Sequence, residues 1–123
     1  MTNKLTTETS AYVFVHHSDE VLASMTKDER ALLLFFESAA VEHGGLIDSR
    51  RMNSDDHDIA KKWNDYGFVS FGRVRNSDIV GYNSMWCELS DDAWLTASAE
   101  RWARCKRILS KRKWQRASEK NVD

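Results

Sequence analysis

The chain has 123 residues, 41% hydrophobic and 30% charged, which suits one domain with a single modest core and excludes a disordered or fibrous polymer. No apolar run approaches the roughly 18–20 residues needed to cross a bilayer, and no basic segment leads into an apolar stretch at the N-terminus, so a cytoplasmic protein without membrane contact is expected. The net charge of −1 conceals a polarised distribution: residues 1–100 carry 9 Lys/Arg against 17 Asp/Glu, a net of −8, whereas residues 101–123 carry 9 against 2, a net of +7, which points to an anionic partner or to self-association.

Residues 1–10, rich in Thr and Ser, read as a flexible N-terminal arm. Within residues 11–17, the run Tyr12-Val13-Phe14-Val15 has the composition and length of a strand. Thr26-Lys27-Asp28-Glu29 has the form of a capping box, so a helix is expected to start there. Leu32, Phe35, Phe36, Ala39 and Ala40 recur at spacings of three and four and predict one buried face, and Gly44-Gly45 ends the helix. Residues 46–53 are too short and mixed to assign, although Asp48 or Ser49 can cap one turn containing Arg50 and Arg51.

The next helix is expected over residues 54–66, with Ser54 as its cap and Asp55, Asp56 and Asp58 in the first turn, where the helix dipole favours negative charge. Ile59, Trp63 and Tyr66 form its expected inward stripe, and Gly67 stops it. Residues 68–74 and 79–82 predict two strands joined at Asn76-Ser77-Asp78, the second continuing through residues 85–89 with a bulge at Gly81 or at Asn83-Ser84. Ser90 caps a final helix with Asp91 and Asp92 in its first turn. Along it Leu95, Trp102 and Leu109 recur every seven residues, with Ser98, Cys105 and Arg112 between them, a short heptad pattern that predicts a packing seam.

Five tryptophans are many for this length, and they must anchor a core or an interface. Phe35, Phe36, Trp63, Phe68, Phe71 and Trp86 suit the core, while Trp94, Trp102 and Trp114 exceed what one helix flank buries in a small monomer. The two cysteines, Cys87 and Cys105, read as reduced and half-buried.

The helix end Asn64-Asp65-Tyr66-Gly67-Phe68-Val69 and the strand-to-helix step Leu89-Ser90-Asp91-Asp92-Ala93-Trp94 carry a family resemblance. With the order helix, hairpin, helix, residues 32–102 resemble the winged-helix domains of small bacterial and phage regulators similar to the MarR type, over somewhat more than half the chain. The resemblance implies an α+β fold, a helical core with a two- or three-stranded antiparallel wing, plus a long C-terminal helix. It divides the chain into the arm (1–10), a winged-helix domain (11–100) and a basic C-terminal helix or tail (101–123). It further implies that the helix over residues 54–66 enters the DNA major groove, with Asn53, Ser54, His57, Lys61 and Asn64 able to meet bases or phosphates. Arg50, Arg51 and Lys62 would flank that helix, and Arg73 and Arg75 would sit on the wing.

The basic run that includes Arg112, Lys113 and Arg116 adds phosphate contacts, and Leu95, Trp102, Cys105, Leu109 and Trp114 form the expected homodimer interface. Asp55, Asp56 and Asp58 oppose this reading, because carboxylates repel a polyanion. They suit the alternative, a protein-binding winged-helix module such as a phage-encoded inhibitor or adaptor that docks on a host complex, with an acidic or basic partner surface. No catalytic residue is expected: glycine loops and nucleophile elbows are absent, and both acidic clusters sit where helix N-termini place acids. No metal or cofactor is expected either, since His16, His17, His43, His57 and the cysteines lack zinc-ligand spacing.

Overall fold

The computed structural model describes residues 20–122, with side chains as far as residue 113. The expected arm and the strand around Tyr12–Val15 lie outside the described residues, as do the side chains of Trp114 and Arg116.

A short helical segment, residues 20–24, leads into helix α1, Lys27–His43. The capping box forms as expected. Thr26 Oγ1 accepts from the Glu29 N–H at 3.1 Å, and Glu29 Oε1 accepts from the Thr26 N–H at 3.1 Å. Gly44 closes the helix in the left-handed conformation (φ 59°) that glycine adopts without steric cost. Gly45 is required for a different reason: its φ is +87°, and a Cβ there would stand 2.5 Å from the Cys87 carbonyl oxygen.

The expectation of a single buried face on α1 is too narrow. Leu32, Phe36 and Ala39 are buried, but so are Leu33 and Leu34, while Phe35 and Ala40 are only partly covered. The reason is position: α1 is the central helix, packed against the sheet on one side and the C-terminal helix on the other.

Strand β1 is Leu46–Ile47, and a 3-10 turn, Ser49–Arg51, follows with Asp48 as its cap. Helix α2, Ser54–Tyr66, is capped by Asn53 and not by Ser54. Asn53 Oδ1 accepts from the Asp56 N–H at 2.8 Å, and Asp56 Oδ2 accepts from the Asn53 N–H at 3.1 Å. The buried stripe of α2 is Ala60 and Trp63 with Ile59 partly covered; Tyr66 is 79% exposed. Left-handed Gly67 (φ 73°) reverses the chain so that Phe68 takes the inward place, its ring 5.4 Å from that of Trp63.

Strands β2, Val69–Arg73, and β3, Met85–Leu89, pair antiparallel, and the sheet order is β1-β3-β2. Val69 faces Leu89 and Arg73 faces Met85, while Ile47 faces Met85 from the other side. The expected strand over residues 79–82 does not form. Residues 74–84 make one long loop containing a 3-10 turn, Asn76–Asp78, and Gly81 has φ 62°, which an extended strand does not admit. Only the predicted continuation pairs, closed by Val74 N–H donating to the Ser84 carbonyl at 2.9 Å. Within β3, Met85, Cys87 and Leu89 point inward. Trp86, expected in the core, lies on the outer face, its ring so close to Gly72 that a Cβ there would come within 2.9 Å of it.

Helix α3, Asp91–Val122, starts at Ser90, whose Oγ accepts from the Ala93 N–H at 3.1 Å. It lays Ala93, Thr96, Ala97 and Glu100 against the body. Two acids are buried at this junction and both are paired: Glu37 with Arg101, and Glu100 with Arg104 (2.9 Å) and Arg107 (3.2 Å). Part of the charge polarity of the sequence is thus neutralised internally, and the Glu37–Arg101 pair fastens α3 to α1. The cysteines are free thiols but not both half-buried: Cys87 is buried and Cys105 exposed. Burial pushes the Cys87 thiol up to about 11, and its sulfur donates to the Phe36 carbonyl at 3.7 Å.

Candidate nucleic-acid interface

Between α2, the sheet and the 74–84 loop lies an open groove of about 570 Å³. Helix α2 contributes His57 and Lys61, which share one helix face because they are four residues apart. Strand β2 contributes Phe71 and Arg73, one strand period apart on the same face. The loop adds Asn76 and Ile79, and the far wall holds Ser49, Ser84 and Met85. The His57 and Phe71 rings meet edge-on at 5.9 Å. The floor is therefore apolar and the rim cationic, and among the described residues Lys61 and Arg73 form no ion pair there. An anionic backbone crossing this rim would be neutralised without breaking an internal bond.

The structure brings His57, Lys61 and Arg73 together, with Arg75 exposed at the start of the loop. The remaining sequence-predicted residues are placed otherwise. Asn53 is held by its capping bonds, and Ser54 is exposed at the start of α2. Asn64 Oδ1 accepts from the Phe71 N–H at 3.0 Å and so ties α2 to β2. Lys62 pairs with Glu29 at 3.3 Å. Partial burial pushes the Glu29 carboxyl up, but hydrogen bonds from Thr26 and Lys62 outweigh this and hold it below the ordinary range. Arg50 is bonded to Asp48 and lies over the Tyr82 ring. Arg51 lines a separate cavity of about 280 Å³ beside Glu42 and His43. Arg112 and Lys113 lie on α3, and Arg112 borders another groove with Leu34, Ile108 and Leu109. Sequence reasoning does not name Phe71, Asn76, Tyr82 or the Ser49–Ser84 pair as site residues: it assigns Phe71 to the core, Asn76 to a tight turn and residues 79–82 to a strand. The signal available was Gly81 together with Asn83-Ser84, which reads as a bulge in a strand but here belongs to a loop.

The outer face of α2 is more acidic than the groove. Asp55, Asp58 and Asp65 are all exposed there. On α3 the exposed apolar residues Trp94, Trp102, Ile108 and Leu109 leave much of the predicted seam open to solvent, with Cys105 exposed and Leu95 half-buried. Among the described residues no three His, Cys, Asp or Glu side chains gather as a metal site would need, and no helix is long and apolar enough to cross a membrane.

No protein-family model matches the sequence, and no curated protein matches it. A solved structure of an archaeal protein, a reported mechanosensitive channel described as a structural homolog of MarR-like transcriptional regulators, is similar at 26% identity with a TM-score of 0.54. The likeness covers 73% of this chain and 75% of that one.

Proposed function

We propose that this chain, whose fold is that of a MarR-like winged helix, is a DNA-binding transcriptional regulator of the small bacterial or phage kind. The observation that carries the reading is the cationic groove between α2 and the wing loop, where His57, Lys61 and Arg73 converge with Arg75 alongside. Helix α2 is the recognition helix, presenting Ser54 and Lys61 to the major groove. Arg73 and Arg75 meet phosphate, and the basic end of α3, with Arg112, Lys113 and Arg116, adds further neutralisation. In this reading residues 11–100 are the winged-helix unit and residues 101–123 its basic extension, and the protein acts in the cytoplasm without catalysis.

A salt series tests it. Binding to duplex DNA should weaken steeply with ionic strength, and the Arg73→Ala/Arg75→Ala variant should lower the slope of log K against log salt by about 2, since each phosphate contact contributes roughly 0.9. No binding at low ionic strength, or an unchanged slope in the variant, overturns the reading.

The regulator is proposed to be a homodimer through Leu95, Trp102, Cys105 and Leu109, supported by the exposure of Trp102 (60%) and Leu109 (45%) on one side of α3. Sedimentation at tens of micromolar (~10–50 µM, where an interface with a micromolar Kd is largely occupied) should give twice the chain mass, and Trp102→Glu should give the monomer. A monomeric wild-type protein rules this out.

A second reading is favoured by Asp55, Asp58 and Asp65 on the outer face of α2: the same fold serving as a module that docks on a basic protein surface.

A further inference from the structure

Arg50 sits where a phosphate contact beside the recognition helix was expected, yet its side chain is committed elsewhere. Asp48 Oδ1 accepts from the Arg50 backbone N–H at 3.0 Å and from Nε at 3.1 Å, and Asp48 Oδ2 accepts from Nη2 at 2.8 Å. This is the two-pronged geometry in which a guanidinium and a carboxylate hold one another most rigidly. The Arg50 hydrogen bonds hold the Asp48 carboxyl below its ordinary range. The guanidinium so fixed lies over the ring of Tyr82, 3.3 Å from its centroid.

Tyr82 belongs to the far limb of the 74–84 loop, and that limb is held to the same 3-10 turn at a second point. Ser84 Oγ donates to Ser49 Oγ at 2.8 Å, in a part-buried contact. Two adjacent residues of the turn, Ser49 and Arg50, therefore grip two nearby residues of the loop, Ser84 and Tyr82. Among the described residues the loop's other hydrogen bonds are local: Asp78 N–H to the Arg75 carbonyl (2.8 Å), Asn83 N–H to the Val80 carbonyl (3.3 Å), Ser84 N–H to the Tyr82 carbonyl (2.9 Å), and the closing Val74 to Ser84 rung. None of these ties it to another element. The same loop walls the groove through Asn76, Ile79 and Ser84, opposite His57 and Lys61.

We propose that Arg50 is a positioning residue: with Asp48 it forms a latch under Tyr82 that fixes the wing loop to the turn leading into the recognition helix and so sets the opening of the groove. Its charge is neutralised by Asp48 and one of its faces is covered by the ring, which makes it a poor phosphate contact. The structural half of this inference stands by itself; the consequence for nucleic acid rests on the DNA-binding reading.

The test uses the full chain with Arg50→Ala, Arg50→Lys, Tyr82→Ala and Tyr82→Phe. Amide hydrogen exchange over residues 79–84 should accelerate about two- to fivefold in Arg50→Ala and Tyr82→Ala, the size of an exposed guanidinium–ring contact. The Arg50→Lys protein should behave like Arg50→Ala, because an ammonium offers neither the fork nor the planar stack. Tyr82→Phe keeps the ring and should behave like wild type. Unchanged exchange in Arg50→Ala overturns the latch, whatever the protein does with DNA. In the salt series, Arg50→Ala and Tyr82→Ala should weaken DNA binding by similar factors with the slope of wild type. A slope lowered by about 1 in Arg50→Ala but not in Tyr82→Ala makes Arg50 a phosphate ligand and overturns the positioning role. If wild type binds no DNA at low salt, the regulator reading fails while the exchange data still decide the latch.

Discussion

Phe36→Ala should cost about 3–5 kcal/mol of folding stability, a large part of the roughly 5–15 kcal/mol available to a domain of this size. Phe36 is fully buried where α1, α2 and the sheet meet. Its ring meets Trp63 of α2 at 6.2 Å, Phe71 of β2 at 5.8 Å and Phe35 of its own helix at 6.0 Å. Removing it takes away the transfer free energy of the ring and leaves a cavity whose aromatic walls cannot all collapse inward, since each is held by a different element. A chemical denaturation series reads the loss as a fall in midpoint at constant slope. Val41→Ala, at a position 70% exposed on the same helix, should change stability by less than about 0.5 kcal/mol. A Phe36→Ala protein within about 1 kcal/mol of wild type would mean that α1, α2 and the sheet do not meet at this ring.

Reversing Asp55 and Asp58 to Lys should decide between the two functional readings. Both carboxylates are exposed on the first turns of α2, and among the described residues neither is hydrogen-bonded or ion-paired. Asp56 must be left in place, because it closes the capping box with Asn53, and its loss would confound function with unfolding. If α2 faces DNA, removing two repulsions and adding two cations should raise affinity many-fold and steepen the salt slope by about 2. Lysines near a helix N-terminus cost roughly 0.3–1 kcal/mol each through the dipole, so a thermal melt must show the variant folded at the assay temperature. The control carries the same charge change at Asp91 and Asp92, exposed at the start of α3. An equal gain in both proteins reports charge alone and removes α2 as the DNA-facing element. If the acidic face docks on a basic protein, the α2 variant should lose that capture while the α3 control keeps it.

How much of this was legible beforehand differs by element. The cap of α1, its glycine stop, the stop of α2 at Gly67 and the start of α3 at Ser90 are all as expected, since each depends on residues within four positions of one another. Asn53 in place of Ser54 as the cap of α2 is a one-residue displacement within the same kind of signal. The failures concern which faces are covered. Tyr66 fits the helical stripe but is exposed, because the reversal at Gly67 hands its place to Phe68. Ile79, Val80 and Tyr82 have strand composition, yet the loop holds only Ile79 half-covered and leaves the other two exposed. The candidate site divides in the same way. His57, Lys61 and Arg73 were all named from the sequence, but nothing in it said that they share a groove, or that Arg50, Lys62 and Asn64 are engaged within the fold.

By itself the sequence determined the succession of helices and strands, the ends of most of them and the polarised charge, because capping, left-handed glycines and periodic burial act over a few residues. Only the tertiary structure decided the length of the wing loop, the placement of Trp86 outside and the neutralisation of Arg101, Arg104 and Arg107 by buried Glu37 and Glu100. It also decided that the loop is gripped by Arg50. Glu37 with Arg101 and Arg50 with Tyr82 join groups far apart in the chain, and even the shorter-range pairing of Glu100 is buried only because α3 packs on the body. Whether such contacts form depends on which surfaces the packed helices and sheet leave within reach of one another.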